Sequence, residues 1–154
     1  MEDIIIRPAT VADTPEMWHL IHELAVYERA PEELVLTPPQ LAEDFENNHF
    51  FAFLAFKDED LLGMALGYYM YSTWKGLSVY LEDLVVKEKF RRFGIGKMLF
   101  DAVLKYAKEK NAGKLVWQVL DWNTPAIEFY KKYNAEFAEE WITCKLTSEQ
   151  IQKS

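Results

Sequence analysis

The chain is poor in cysteine, in cationic residues and in long apolar runs. A single cysteine, Cys144, stands among 154 residues. No disulfide can form within the chain, and a reducing compartment fits. Its neighbours Trp141-Ile142-Thr143 suggest a buried core position rather than a catalytic one. Lysine and arginine number 17 against 25 acidic residues, a formal net charge of −8. General nucleic-acid binding needs a basic face, so no nucleic-acid partner is expected, whereas a cationic small substrate suits that sign. The longest apolar run, Phe50 to Phe56, is far short of the ~20 residues that cross a bilayer. The acidic start Met1-Glu2-Asp3 is unlike a secretion signal. The expectation is a cytoplasmic protein with no membrane partner. His19, His22 and His49 lack a carboxylate or thiolate set to complete a metal site, so no metal is expected.

What is present is a foldable core. Half of the residues are hydrophobic and 15% are aromatic, enough for one domain over 1–154. Patterning predicts a first strand at Ile4–Arg7, then a helix with Met17, Leu20, Ile21, Leu24 and Ala25 on one face. Thr14 is its expected cap, with Pro15 in the first turn. A loop at 30–39 and a short helix at 40–47 follow. Strands are predicted at 50–56, 61–71 and 77–86, with Lys57–Asp60 as a hairpin turn. Gly63 and Gly67 mark a bulge or a close backbone approach. A long amphipathic helix spans about 94–110, and a strand runs from Leu115 to Leu120. A helix capped by Thr124, with Pro125 in its first turn, ends near Asn134. One or two strands are expected in 135–146. The mixed order predicts an α+β fold with helices on both faces of a mixed sheet.

The turn Arg91-Arg92-Phe93-Gly94-Ile95-Gly96 joins a strand to the long helix. Glycines let main-chain N–H groups converge at a helix start, and arginines add charge-assisted hydrogen bonds. That chemistry holds phosphate. The pattern is not a nucleotide triphosphatase loop, and Leu99 stands where a dinucleotide fingerprint has its third glycine. The turn alone fits an ordinary helix start equally well.

Glu82 and Asp83 interrupt an apolar strand, and strict alternation would point them to opposite faces. A carboxylate there serves as a base, directly or through water, or anchors a cation. An exposed edge-strand charge is the alternative. Asn123, Ala126 and Tyr130 share a helical face. A phenol beside a small residue suits a proton donor, though spacing alone favours a core aromatic. The loops hold Tyr27-Glu28, Trp74 and Glu139-Glu140-Trp141, suited to an alkylammonium or simply solvated.

Five segments carry a specific resemblance: Ile6–Thr10, Glu23–Glu28, Tyr71–Gly76, Tyr80–Asp83 with Phe93–Gly96, and Leu120–Asn123 with Phe129–Lys131. With Arg91-x-x-Gly94-x-Gly96 and Asn123-x-x-Ala126-x-x-x-Tyr130, the chain resembles the GNAT-superfamily N-acetyltransferases over nearly its full length. Within them it is similar to the diamine acetyltransferase family, the spermidine/spermine and thialysine enzymes. Ser72-Thr73-Trp74 and Leu120-Asp121-Trp122-Asn123 look like the thialysine branch.

The resemblance implies a GNAT fold with a mainly antiparallel central sheet, acetyl-CoA as co-substrate and a small primary amine as acceptor. The acceptor would be a thialysine- or lysine-like amino acid, or a di- or polyamine. Acetylation of a protein amine, or CoA binding without turnover, are the alternatives. Tyr130 matches the general acid and Glu82 the water-relayed base. Leu84, Val85 and Val86 match the pantetheine strand; Arg91, Arg92, Phe93, Gly94, Ile95, Gly96 and Lys97 match the pyrophosphate turn. Asn123, Thr124, Pro125, Ala126 and Lys132 match further CoA contacts. Tyr27, Glu28, Trp74, Glu82, Asp83 and Glu140 (or Glu139) match substrate-side positions. Arg92 stands where the family has glycine, and Asn134 replaces a glycine after the last helix. A homodimer is implied, with Trp141 and the last strands near its interface.

Overall fold

The computed structural model describes residues 3–154. The chain divides into two compact units, Met1–Gln118 and Val119–Ser154. The first contains β1 (Ile5–Pro8), α1 (Thr14–Tyr27), α2 (Pro38–Glu46), β2 (Phe51–Lys57), β3 (Asp60–Ser72), β4 (Gly76–Val86), α3 (Ile95–Glu109) and β5 (Leu115–Val116). The second contains α4 (Thr124–Lys131) and α5 (Ser148–Lys153).

The sheet has the order β1-β2-β3-β4-β5. Its first three pairings are antiparallel and the last is parallel. Alternation along β2 explains both faces. Ala52 and Leu54 pack with Met17 and Leu20 of α1 and Leu41 of α2. Phe51 and Phe53 point the other way, and their rings lie 4.4 and 5.6 Å from Tyr106 of α3. Helices therefore cover both faces, as expected. No helix is long and apolar enough to cross a membrane, among the described residues.

Two irregularities set the phase of the sheet. Ala55 pairs with Gly63 and Phe56 with Leu61, so Leu62 is an extra residue. That puts Leu61 and Met64, three apart, in one core cluster. At Gly63 a methyl group would meet the Val85 carbonyl oxygen at 2.7 Å, which is the close approach the glycine announces. The second irregularity shapes the site.

Local chemistry shifts several expected boundaries. Asp13, not Thr14, occupies the cap position of α1. The Asp13 carboxylate accepts two bonds from Arg7, at 2.8 and 2.9 Å. The Arg7 guanidinium and the Thr10 donors hold it down at about 2. Thr14 is helical and buried, and its hydroxyl donates to the Val11 carbonyl. Thr37 caps α2, which begins two residues before the expected Gln40. The strand expected over 115–120 stops at Val116. Its partners are Val79 and Tyr80, immediately before β4 bends at Glu82. Trp117 instead packs edge-on to Phe100 of α3 at 5.2 Å.

The strands expected in 135–146 do not form. A strand needs a ladder, and this segment has no strand partner within the single chain, among the described residues. Cys144 is consequently exposed rather than buried. The polar tail carries α5, closed by a capping box between Thr147 and Gln150.

Candidate active site

Across the β3–β4 ladder Leu81 stands opposite Gly67, and Asp83 opposite Leu66. Glu82 is thus a bulged residue without a cross-strand partner. The bulge breaks the strict alternation on which the expectation that Glu82 and Asp83 face apart rests. Glu82 acts on Glu28, which follows α1 directly, and Glu82 and Glu28 both act on Asp83. Burial, then the charges of Glu82 and Glu28, push the Asp83 carboxyl up to about 7. Burial and Glu82 raise Glu28 as well. Tyr80 is pushed up to about 12 by burial, by Glu82 and by Tyr68.

The rings of Tyr68 and Tyr80 stack with centroids 5.1 Å apart. Three carboxyl groups and two phenols therefore share one region. Each anion makes its neighbours harder to ionise, so an ammonium group placed among them would be stabilised. Tyr68 and Tyr80 are missed as site residues from sequence. Only the register that sets them opposite each other unites them, and the run Tyr80–Asp83 is the one available signal.

β4 continues past Tyr80, its last residue paired with β5, through Leu81–Val86. On that side Leu84, Val85 and Val86 have no strand partner among the described residues. An extended ligand can pair with such a main-chain edge. A 3₁₀ turn at Glu88–Phe90 then leads to Arg91–Gly94.

Arg92 has φ +70° and Gly94 φ +79°. Gly94 occupies the cap position of α3 and offers no side-chain oxygen. The first-turn amides of Ile95, Gly96 and Lys97 thus lack a side-chain cap. A methyl group at Gly94 would meet nothing within 4 Å, and one at Gly96 only Val86 Cγ2 at 3.8 Å. Packing does not demand glycine at either place, and the open space lies where a diphosphate could meet these amides. The residues present fit such a group. Phe93 is exposed, and Lys97 pairs with Asp101 at 2.6 Å. Arg91 lies differently. Its Nε donates to the Val86 carbonyl at 3.1 Å, and its guanidinium covers the Tyr27 ring at 5.0 Å.

The remaining candidates lie elsewhere. Ser72 Oγ accepts from the amides of Trp74 and Lys75, and this turn carries Trp74 to the tip of the β3–β4 hairpin, 84% exposed. In the second unit Asn123, not Thr124, caps α4 by accepting from the Ala126 amide at 3.4 Å. Thr124 and Pro125 form the first helical positions. Tyr130 is 8% exposed, its ring edge-on to Phe129. Lys132 follows the helix, and Asn134 adopts φ +56°. That left-handed stop is the one expected of asparagine. Glu139 and Glu140 are exposed in the coil that follows.

Comparison with known proteins identifies the family. The acetyltransferase (GNAT) family model matches residues 14–135. A thialysine N-epsilon-acetyltransferase of Caenorhabditis elegans is 35% identical over 156 residues, covering 99% of this chain and 98% of that protein. The Sus scrofa protein of the same name is 31% identical over 166 residues, with the same coverage, 99% and 98%. Among solved structures, an aminoglycoside acetyltransferase from an uncultured soil metagenomic sample superposes with TM-score 0.79 at 21% identity, covering 94% of this chain and 96% of that one. The aminoglycoside N-acetyltransferase AAC(6')-Iy in complex with CoA gives TM-score 0.75 at 20% identity, covering 93% and 94%. The chain belongs to the GNAT acetyltransferase family, fits its thialysine branch, and is an N-acetyltransferase.

Proposed function

We propose that the protein moves the acetyl group of acetyl-CoA onto a primary amine of a small substrate: thialysine, a lysine-like amino acid, or a di- or polyamine. The observation that carries this reading is the juxtaposition, within the first unit, of the carboxyl cluster Glu28, Glu82 and Asp83 with the open strand edge Leu84–Val86. The uncapped head of α3 follows that edge after one 3₁₀ turn and the segment Arg91–Gly94. The cluster suits an ammonium ion; the edge and the helix head suit pantetheine and pyrophosphate. The names of the curated relatives support an amine acceptor. The residues proposed to hold acetyl-CoA are Leu84–Val86, Arg91–Lys97, Asn123–Ala126 and Lys132. Those proposed to hold the amine are Tyr27, Glu28, Trp74, Glu82, Asp83 and Glu140. One GNAT domain spanning 1–154 is part of the same proposal.

The chemistry needs help with protons. A primary amine has a reference pKa near ~10.4, so about one molecule in 2,500 is neutral at pH 7. Glu82, exposed on its bulge, draws the ammonium in and passes its proton to water. The amine nitrogen then bonds to the acetyl carbon as the carbon–sulfur bond breaks. Tyr130 supplies a hydrogen bond or a proton to the departing sulfur. Full transfer from a phenol near ~10 to a thiolate near ~8.5 is uphill by about 2 kcal/mol, so donation without complete transfer is sufficient.

The coil at 135–147 exposes Phe137, Trp141, Ile142 and Leu146. In the homodimer implied by resemblance, a second copy would cover them. The exposed Cys144 thiol suits a reducing compartment such as the cytoplasm.

The test is direct. Incubated with acetyl-CoA and a panel of thialysine, lysine, diamines, polyamines and basic peptides, the protein should release CoA with the small amines. Turnover with peptides alone would reassign the acceptor, and no turnover with any amine would end the proposal.

A further inference from the structure

Arg91 begins the turn that leads to α3, yet its side chain runs back toward α1. Its Nε donates to the carbonyl of Val86 at 3.1 Å, the last residue of β4. Its guanidinium plane covers the ring of Tyr27, the last residue of α1, at 5.0 Å. Glu28 follows at once, its carboxyl raised by burial and by Glu82. Arg29 then takes φ +63°, a left-handed conformation that closes the end of α1. The short segment bearing Tyr27 and Glu28 therefore meets the start of the phosphate turn at the Arg91 guanidinium. Arginine can donate from Nε while its guanidinium lies over a ring, which the point charge of a lysine cannot do.

We propose that Arg91 is a positioning residue that couples the two ligand sites: filling the turn at the head of α3 fixes Arg91 between Val86 and Tyr27, which fixes Glu28 for the incoming ammonium. The inference rests on the acetyl-CoA and amine reading above. In the turn, a phosphate ordered by the amides of Ile95–Lys97 restricts the main chain of 91–94. Arg91 transmits that restriction to Tyr27 because its two contacts lie on different elements. The amine then meets a carboxyl cluster already in place, so it binds more tightly after CoA than before it. By reciprocity the amine tightens CoA by the same factor.

The experiment measures thialysine affinity by calorimetry with and without saturating unacetylated CoA, in wild type, Arg91→Lys, Tyr27→Leu and Tyr27→Phe. A change confined to a direct contact alters both affinities equally and leaves their ratio unchanged. The wild-type ratio should be about fivefold or more. It should fall toward one in Arg91→Lys, which keeps the charge, and in Tyr27→Leu, which removes the ring. Tyr27→Phe, which keeps the ring, should restore it. A wild-type ratio near one, or a ratio unaltered by both Arg91→Lys and Tyr27→Leu, overturns the coupling while CoA binding itself stands. No CoA binding by wild type overturns the cofactor reading together with the coupling.

Discussion

A methyl group on Gly67 would stand 2.7 Å from the carbonyl oxygen of Tyr80. The close approach lies beside the irregularity of β4, which bulges two residues further on, at Glu82. Phe51 closes the other side, its Cζ 2.9 Å from the same position. Gly67→Ala is therefore expected to destabilise the fold by about 2 kcal/mol through overpacking. Strands forced apart there would also displace Glu82. Urea denaturation and kcat/KM should fall together, and wild-type values for both would mean that the bulge does not depend on this glycine.

Arg92 carries an ordinary side chain at φ +70°. A non-glycine residue in the left-handed region costs on the order of 1 kcal/mol. Arg92→Gly should raise the unfolding free energy by roughly that amount, since its side chain is exposed. The same change should raise the KM for acetyl-CoA several-fold if the guanidinium helps hold pyrophosphate. A differential scanning measurement beside a kinetic titration separates the two effects. A more stable variant with unchanged KM would free Arg92 of any role in cofactor binding.

Asp83 sets a pH dependence with a definite sign. Its carboxyl is raised to about 7, above the ordinary 3.8 expected of the unfolded chain. Between those values the folded state holds the extra proton. Its contribution is thus fully present below pH ~4 and lost as pH rises through ~7. Asp83→Asn should raise Tm at pH 8 and leave it little changed at pH 4. The upper bound is about 4 kcal/mol, from roughly three units at 1.36 kcal/mol each. Equal Tm shifts at both pH values would count against a proton held by Asp83.

Tyr130→Phe should leave CoA affinity near wild type and lower kcat tenfold or more, because only the hydroxyl is removed. Glu82→Gln should move the pH profile of kcat/KM upward, as the amine must then lose its proton without the carboxylate. A normal kcat in the first variant removes Tyr130 from the mechanism. An unmoved profile in the second points to another base.

The glycine turn, the strand before it and the long helix after it were legible because each has a local cause. Gly94 takes the positive φ that opens α3, and Ile95, Leu99 and Val103 recur at helical spacing and are all buried. Gly63 and Gly67 announced close approach, and both make it. The caps were misplaced by one residue at α1 and α4, where Asp13 and Asn123 precede the threonines. A carboxylate or amide one position upstream competes for the same place, and local sequence does not rank the two. The segment 135–146 failed for another reason: β-forming residues make no strand without a partner edge.

Sequence alone determined the family, the order of elements from β1 to α4 and the phosphate-suited turn, because local spacing and residue chemistry are written along the chain. Tertiary structure decided that Glu82 and Asp83 belong with Glu28, and that Arg91 lies on Tyr27. Those facts depend on strand register and on packing between segments distant in sequence. A single bulged residue changes which side chains share a face, and no periodicity within one strand reveals it.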